Sequence, residues 1–255
     1  MKVLERIEHN GIILPEEVKS LLETAKGLTL FHTTTELSHA ATGGFGNSYY
    51  EVKYDIPGKG EYTEAVVHRV SNGISANYTE SYMRRRDPDT MLIADSLPSD
   101  KTRFSDEMGY EFDSLRKETF DWLKKQNLAV FFYYAGNYPV GAGGMVIAPA
   151  NAGFFAFGLA LLQKMIDINT LPEGFKVESI IYVAPPFRHT HFGGKQKVVH
   201  YRGEKIHEMF SYNLYPGPSA KKGLYGVILS KGEKEGWVTA HCSTVQVVSP
   251  YDNTT

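Results

Sequence analysis

The segment SYNLYPGPSAKKGLYGVIL, residues 211–229, carries residue types that can hold an anion. Tyr215 stands before a Pro-Gly-Pro turn, and that turn delivers Lys221 and Lys222 to the start of an apolar run. An ammonium so placed can neutralise a carboxylate or phosphate, or, once desolvated and neutral, ligate a metal. Adjacent loop lysines are ordinarily both solvated. If they feed a strand they point to opposite faces, so at most one faces a given cleft. Further on, GWVTAHCSTVQVV places His241 and the single cysteine, Cys242, inside a strand-like run. His241 reads either as a satisfied core histidine or as a metal ligand needing a partner on its other ring nitrogen. Cys242, on the opposite face, reads as a small buried hydrophobe.

Other polar groupings are weaker signals. MRRRDPDTM sets Arg84, Arg85 and Arg86 before an Asp-Pro turn. Such a run is a solvated face unless an arginine at a loop lip grips a carboxylate or phosphate bidentately. PPFRHTHFGG offers Arg188, His189 and His191. If extended, it puts both histidines on one face, as two metal ligands require, with His200 or His241 to complete a metalloenzyme site. TGGFGN and GAGGM lack the Lys-Ser/Thr pair of a phosphate loop and read as turns.

Composition bounds the rest. In 255 residues, 27 basic and 29 acidic side chains leave a net charge of -2, which argues against a nucleic-acid or membrane-surface partner. One cysteine excludes an internal disulfide and suits a reducing compartment. The acidic, weakly apolar start predicts no secretion leader, and no run reaches the roughly 20 apolar residues of a membrane span, so a cytoplasmic protein is expected.

These groups must be positioned by regular elements. PEEVKSLLETAKG predicts a helix, with Pro15 in its first turn, Gly27 as its stop and Val18, Leu21 and Leu22 as its apolar face. SYYEVKYDI and EAVVHRVSNGISANYTESYM predict a twisted hairpin region over roughly residues 48 to 83. MLIADS predicts a short buried strand, and EFDSLRKETFDWLKKQ an amphipathic helix. LAVFFYYAG, GMVIAPA and VESIIYVAPPF predict buried strands, with NAGFFAFGLALLQKMI as a buried helix between the last two, capped by Asn151. KQKVVHYR, GLYGVILS and WVTAHCSTVQVV predict further strands, and GEKEG at 232 to 236 a solvated hairpin turn. The alternation predicts an α/β fold: a single layered α/β/α domain with a mixed sheet over residues 1 to 255.

Four collinear segments resemble the amino-terminal domain of phosphoenolpyruvate carboxykinase. RDPDTMLIAD, from Arg86, is similar to the family's R-S-P-x-D anion loop with its apolar run. WLKKQNLAVFFYYAGN is similar to its helix and strand ending in an Ala/Cys-Gly-Ala-Asn-like turn, and VESIIYVAPPFR to the strand ending in N-A-P-S-F. YPGPSAKKGLYGVIL with WVTAHCSTVQVV is similar to Y-G-G-E-M-K-K-G followed by M-H-C-S-A-N-V. The likeness runs from about residue 84 to 249 and is most specific in its last third. The chain also resembles an uncharacterised bacterial family distantly related to that enzyme, whose longer members continue into a nucleotide-binding domain.

The resemblance implies roles. Arg86, Tyr215 and Lys222 would hold a small anionic carboxylate or phosphate, and Lys222 and His241 would bind a divalent metal, manganese or magnesium, in the full-length parent. The Tyr-to-Lys spacing is one residue longer here, and Arg85 can replace Arg86 with a one-residue shift. The sequence stops at SPYDNTT, before the phosphate loop expected next. The expectation is therefore a substrate-side domain, inactive alone, whose partner is a missing C-terminal nucleotide-binding domain, with no nucleotide on this chain. The alternatives are a standalone anion-binding module and the histidine metalloenzyme.

Overall fold

A computed structural model describes residues 2–42, 48–84, 87, 89–138, 140–240, 248 and 251. Helices α1 (Val3–His9) and α2 (Glu16–Thr24) lead into strand β1 (Gly27–Leu30) and helix α3 (Thr34–Ala41). The α3 start is a capping box: Thr33 accepts from the Glu36 amide, and the Glu36 carboxylate takes the Thr33 amide in return. Strands β2 (Tyr49–Ile56), β3 (Gly60–Val70) and β4 (Gly73–Tyr78) follow, then β5 (Met91–Ile93), α4 (Phe104–Met108) and α5 (Phe112–Leu123). The middle of the chain gives β6 (Asn127–Ala135), β7 (Ala142–Pro149), α6 (Gly153–Leu162), β8 (Lys164–Ile166) and β9 (Ser179–Val183). The last third adds α7 (Phe187–Thr190), β10 (Val198–Arg202), β11 (His207–Ser211), a π-helical turn (Gly217–Lys222) and α8 (Gly223–Glu235).

The fold is mixed α/β. Eight strands form one mixed sheet in the order β1-β6-β7-β9-β11-β10-β5, with β8 pairing the second half of β6 beside β1. A separate antiparallel sheet, β2-β3-β4, occupies the predicted hairpin region, with a register shift at Val52/Lys53. Alternation along the central strands sorts the core into two faces. Leu128, Val130 and Phe132 of β6 pack with α1, α2, α4 and α5. Phe131 and Tyr133 of the same strand pack with α3, α6, α8 and the small sheet. No helix among the described residues is long and apolar enough to cross a membrane.

Several local expectations need correction. GAGGM is not a turn, since Ala142–Met145 open β7, with Gly144 and Gly143 paired to Tyr133 and Tyr134 of β6. Helix α2 ends at Thr24, so Gly27 opens β1 instead of stopping the helix. GLYGVILS is helix α8, not a strand. Leu224 and Val227 are its buried apolar side chains, three apart on one helical face, and Lys231 pairs with Glu235 at i,i+4. GEKEG is the last turn of that helix rather than a hairpin: Gly236 stops it at φ 74°, and the Trp237 amide closes back on the Gly232 carbonyl at 2.7 Å. Asn151 does not cap α6; its amide donates across to the Lys53 carbonyl of β2. PPFRHTHFGG is helical at Phe187–Thr190, so His189 and His191 do not share a face. Of the expected strand WVTAHCSTVQVV, residues 237–240 are neither helix nor strand, and its histidine and cysteine lie outside the described residues, as does most of TGGFGN.

Arg188 locks the small sheet to the large one. It is 0 % exposed. Its guanidinium donates to Glu64 of β3 at 3.2 Å, to Glu80 just beyond β4 at 2.7 Å and to the Gly194 carbonyl at 2.6 Å. Burial alone would raise the Glu64 pKa. The His189 ring, the Arg188 guanidinium and the Tyr54 hydroxyl outweigh it and hold the carboxyl below its ordinary range. Removing one member of such a set leaves the other charge buried and unmatched. Arg188→Met should therefore cost about 3–5 kcal/mol of unfolding free energy, measured by urea denaturation. The double change Arg188→Met with Glu64→Met should recover much of that loss; a single variant within about 1 kcal/mol of the native protein would refute the ion-pair account.

Candidate functional site

Residues 211–222 leave the sheet at the end of β11 and are fixed by buried hydrogen bonds. The Ser211 hydroxyl donates to the Asn213 carbonyl at 3.0 Å and accepts from Ser219 at 2.7 Å. The Asn213 side chain donates to the Lys197 carbonyl at 3.2 Å and accepts from the Tyr215 amide at 2.8 Å. From the small sheet, the Tyr78 hydroxyl donates to the Leu214 carbonyl. The π-helical turn then carries the chain from Gly217 through Lys222 directly into α8.

Beyond this turn lies a cleft of about 680 Å³ between β5, β10, the loop at 98–102 and α8. Lys222, Tyr225, Gly226, Leu229, Ser230 and Glu233 supply the α8 wall at helical spacing. Lys222 is partly buried, whereas Lys221 is exposed and does not line the cleft. Lys222 thus reaches the cleft from a helical turn, not from a loop entering a strand.

The other cations of the cleft are already matched. Lys197 pairs with Glu107 at 2.7 Å, and Lys101 with Asp100 at 2.6 Å. Arg202 grips Asp95 bidentately, Nη2 to Oδ1 at 2.7 Å and Nε to Oδ2 at 3.0 Å, and its own amide adds a third bond at 2.8 Å. Burial raises the Asp95 pKa, but these bonds prevail and hold it low. Lys222 has no hydrogen-bond or ion-pair partner among the described residues. The carboxylates without such a match, Asp89 and Glu233, are exposed on the rim.

At the floor are two histidines. His200 faces Met209 across the β10–β11 ladder, so His207, two residues away on the same strand face, is its diagonal neighbour. His200 Nδ1 and His207 Nε2 lie 2.8 Å apart. The rings are 1 % and 6 % exposed by residue, and His200 Nε2 and His207 Nδ1 have no partner. Burial first, then the Arg202 charge, push the His200 pKa down to about 4, against a smaller opposite pull from Asp95. His207 is pushed well below its ordinary value by burial, the His200 ring and Arg202, with Lys234 adding to them and Asp95 opposing. Both rings are neutral at neutral pH.

Of the residues expected at the site, Lys222 lines the cleft. Tyr215 does not: its ring lies 6.3 Å from that of Tyr78, against the small sheet. Arg86, its alternative Arg85, and His241 lie outside the described residues. The histidine metal site is not assembled. His189 packs against Tyr62 in a tilted arrangement with ring centres 4.5 Å apart, His191 meets Glu118 at 3.5 Å, and His200 bonds His207. Among the described residues no group of three or more His, Cys, Asp or Glu side chains is placed to hold a metal. Arg188, named beside these histidines in PPFRHTHFGG, is held in the buried ion pair with Glu64. Sequence pattern does not pair these histidines, because HEMFS is short and sets Glu208 between His207 and Met209. A histidine alternating with apolar residues in both VVHYR and HEMFS was the available signal.

The histidines set an acid limit. A ring whose folded pKa lies below the unfolded value of about 6.5 takes up its proton less readily when folded. Between that value and about 4 for His200, the unfolded chain holds more protons than the native one, so stability falls as pH drops through the window. Urea midpoints between about pH 7 and pH 5 should decline, by at most about 1.4 kcal/mol per pH unit for each ring. The decline should flatten in a His200→Gln, His207→Gln double variant; a native profile flat over this range would contradict the buried, neutral pair.

A comparison with curated proteins finds no match. Residues 14–255 match the family described as Domain of unknown function (DUF4914), nearly the whole of the sequence, cleft and small sheet included. The chain belongs to that family.

Proposed function

We propose that the cleft binds a small anion, a carboxylate or phosphate, with Lys222 as its principal counter-charge. The observation that carries this reading is the state of Lys222: partly buried, without a partner among the described residues, beside cations that are each matched. Among cations each held by a carboxylate, a partly buried lysine without one is the group an anion answers, and a bound carboxylate or phosphate supplies two or three acceptor oxygens. The neutral histidine pair adds hydrogen-bonding capacity without adding charge.

The fuller reading of the same site is the substrate-side domain of a carboxykinase-like phosphotransferase. In it Tyr215 and Arg86 would join Lys222 on the substrate, and Lys222 and His241 would be the residues to hold manganese or magnesium. Phosphoryl transfer depends on positioning and on neutralising the phosphates, so turnover would require a nucleotide-binding partner domain. The arrangement of Tyr215 against Tyr78 favours the simpler anion-binding module, since it takes the expected tyrosine away from the cleft.

Isothermal titration with phosphoenolpyruvate and with oxaloacetate, each with and without manganese, tests both readings. Lys222→Met should weaken binding by roughly 10- to 100-fold, as expected for one lost charge-assisted hydrogen bond of about 1.5–3 kcal/mol, and Lys221→Met by less than about twofold. Binding that needs manganese favours the carboxykinase-like reading, and metal-independent binding the module. Equal affinity in the native protein and Lys222→Met would remove the basis for either.

A further inference from the structure

The cleft floor contains a feature that the counter-charge of Lys222 does not explain. A buried polar nitrogen without a partner costs of the order of 1–3 kcal/mol, and this pair carries two of them. The position of the rings links two spaces. Both border the 680 Å³ cleft, and His207 also borders a neighbouring cavity of about 120 Å³ lined by Glu178, Lys231 and Glu235. In that second cavity Lys231 is bound to Glu178 at 3.0 Å and to the Gly141 carbonyl at 2.8 Å. On the cleft side, the Cε1–Nδ1 edge of His200 faces α8 at Gly226, where a methyl would sit 3.7 Å from Cε1 and 3.9 Å from Nδ1. Gly226 is one helical turn from Lys222 on the same wall of the cleft.

We infer that His200 and His207 form a two-imidazole proton relay between the anion cleft and the smaller cavity. The inference rests on the anion-binding reading for its ligand and on the 2.8 Å contact and the two free nitrogens for its geometry. Two neutral rings joined by one N–H···N bond have only two arrangements. In the first, each ring carries its proton on Nδ1; His200 donates to His207, and His200 Nε2 is a bare acceptor. In the second, each carries it on Nε2; His207 donates to His200, and His207 Nδ1 is bare.

One passage converts the first into the second. A hydroxyl of the bound anion, or of a water beside it, gives its proton to His200 Nε2. The proton on His200 Nδ1 crosses to His207 Nε2, and that on His207 Nδ1 leaves to water in the second cavity. Three N–H or O–H bonds break and three form, one proton enters and one leaves, and both rings are neutral before and after. The reverse passage delivers a proton to the ligand. A ligand whose protonation changes on binding or reaction, a hydrogen phosphate or a hydroxy acid, is the class such a relay serves.

Long-range proton–nitrogen NMR of the full chain labelled with nitrogen-15 in histidine reads the tautomer of each ring. At neutral pH without ligand, the two rings should be neutral and matched, with shifts averaged between the Nδ1–H and Nε2–H limits. His207→Gln puts an amide where Nε2 stood and cannot pass a proton, so the averaging of His200 should be lost. Adding inorganic phosphate should shift the balance in the native protein and leave it unmoved in Lys222→Met. Unlike tautomers on the two rings, one fixed tautomer unaffected by His207→Gln, or a charged ring would overturn the relay. So would bound phosphate that leaves the balance unchanged. Phosphate that does not bind would overturn the anion reading, and the ligand-free shifts would still decide the relay.

Discussion

A guanidinium shut away from water needs acceptors, and Arg188 draws those of its two Nη groups from distant parts of the chain, leaving only Nε without one. Its partners come from β3, from the turn after β4 and from the loop following α7. The small sheet alone is a three-stranded meander with one face to bury. Hydrophobic contact through Val52, Ala65 and Val67 supplies much of the attraction to the main domain, but such contact is not directional. The Arg188–Glu64 pair supplies direction. A sheet slid by one residue would turn Glu64 to the opposite face and leave both charges unmatched in the interior.

The same docking reaches the cleft through a short series of contacts. With β4 in place, Tyr78 meets the Leu214 carbonyl and the Tyr215 ring. Leu214, fully buried, holds the segment between β11 and the π-helical turn. Ser211, Asn213 and Ser219 close that segment on itself and on Lys197. Lys222 emerges from this set at the first turn of α8, so its backbone is defined although its side chain has no partner among the described residues. A lysine on a fixed base facing an open cleft loses less conformational freedom on meeting an anion than one on a mobile loop.

Much of the architecture was legible because the central strands obey simple rules. LAVFFYYAG and VESIIYV are apolar on both faces, as strands covered on both sides must be, and each is bounded by Gly or Pro. The α5 helix announced itself by Phe112, Leu115, Phe120 and Leu123 against a charged face. Helix α8 was misread because GLYGVIL is short, apolar and flanked by glycines, which suits a strand and a buried helix equally. The distinguishing signal lay beyond the apolar run, in the i,i+4 pair Lys231–Glu235 and the αL stop at Gly236. Arg188 was visible as a residue but not as a core residue, since nothing local in PPFRHTHFGG indicates that Glu64, 124 positions earlier, will meet it. Lys222 could be singled out by its place after a turn, whereas its lack of a partner could not, because that depends on where every other charge in the cleft is spent.

That distribution of charge is what makes the site more than a solvated hollow. Lys101, Lys197 and Arg202 are each matched by a carboxylate, and the two histidines bring imidazoles that burial keeps neutral. The polar floor therefore contributes dipoles and hydrogen bonds but little net field, and the two rim carboxylates without a match are exposed, where water screens them. On the anion-binding proposal, an incoming anion would meet partly buried Lys222 in a cleft floored by two neutral imidazoles. Had either ring been cationic, the pair would repel Arg202 across the sheet edge and weaken the Asp95 clamp that holds the loop at 95–103 against β10. Neutral rings spare that clamp a repulsion, and among the described residues of the cleft Lys222 is the cation without a carboxylate partner.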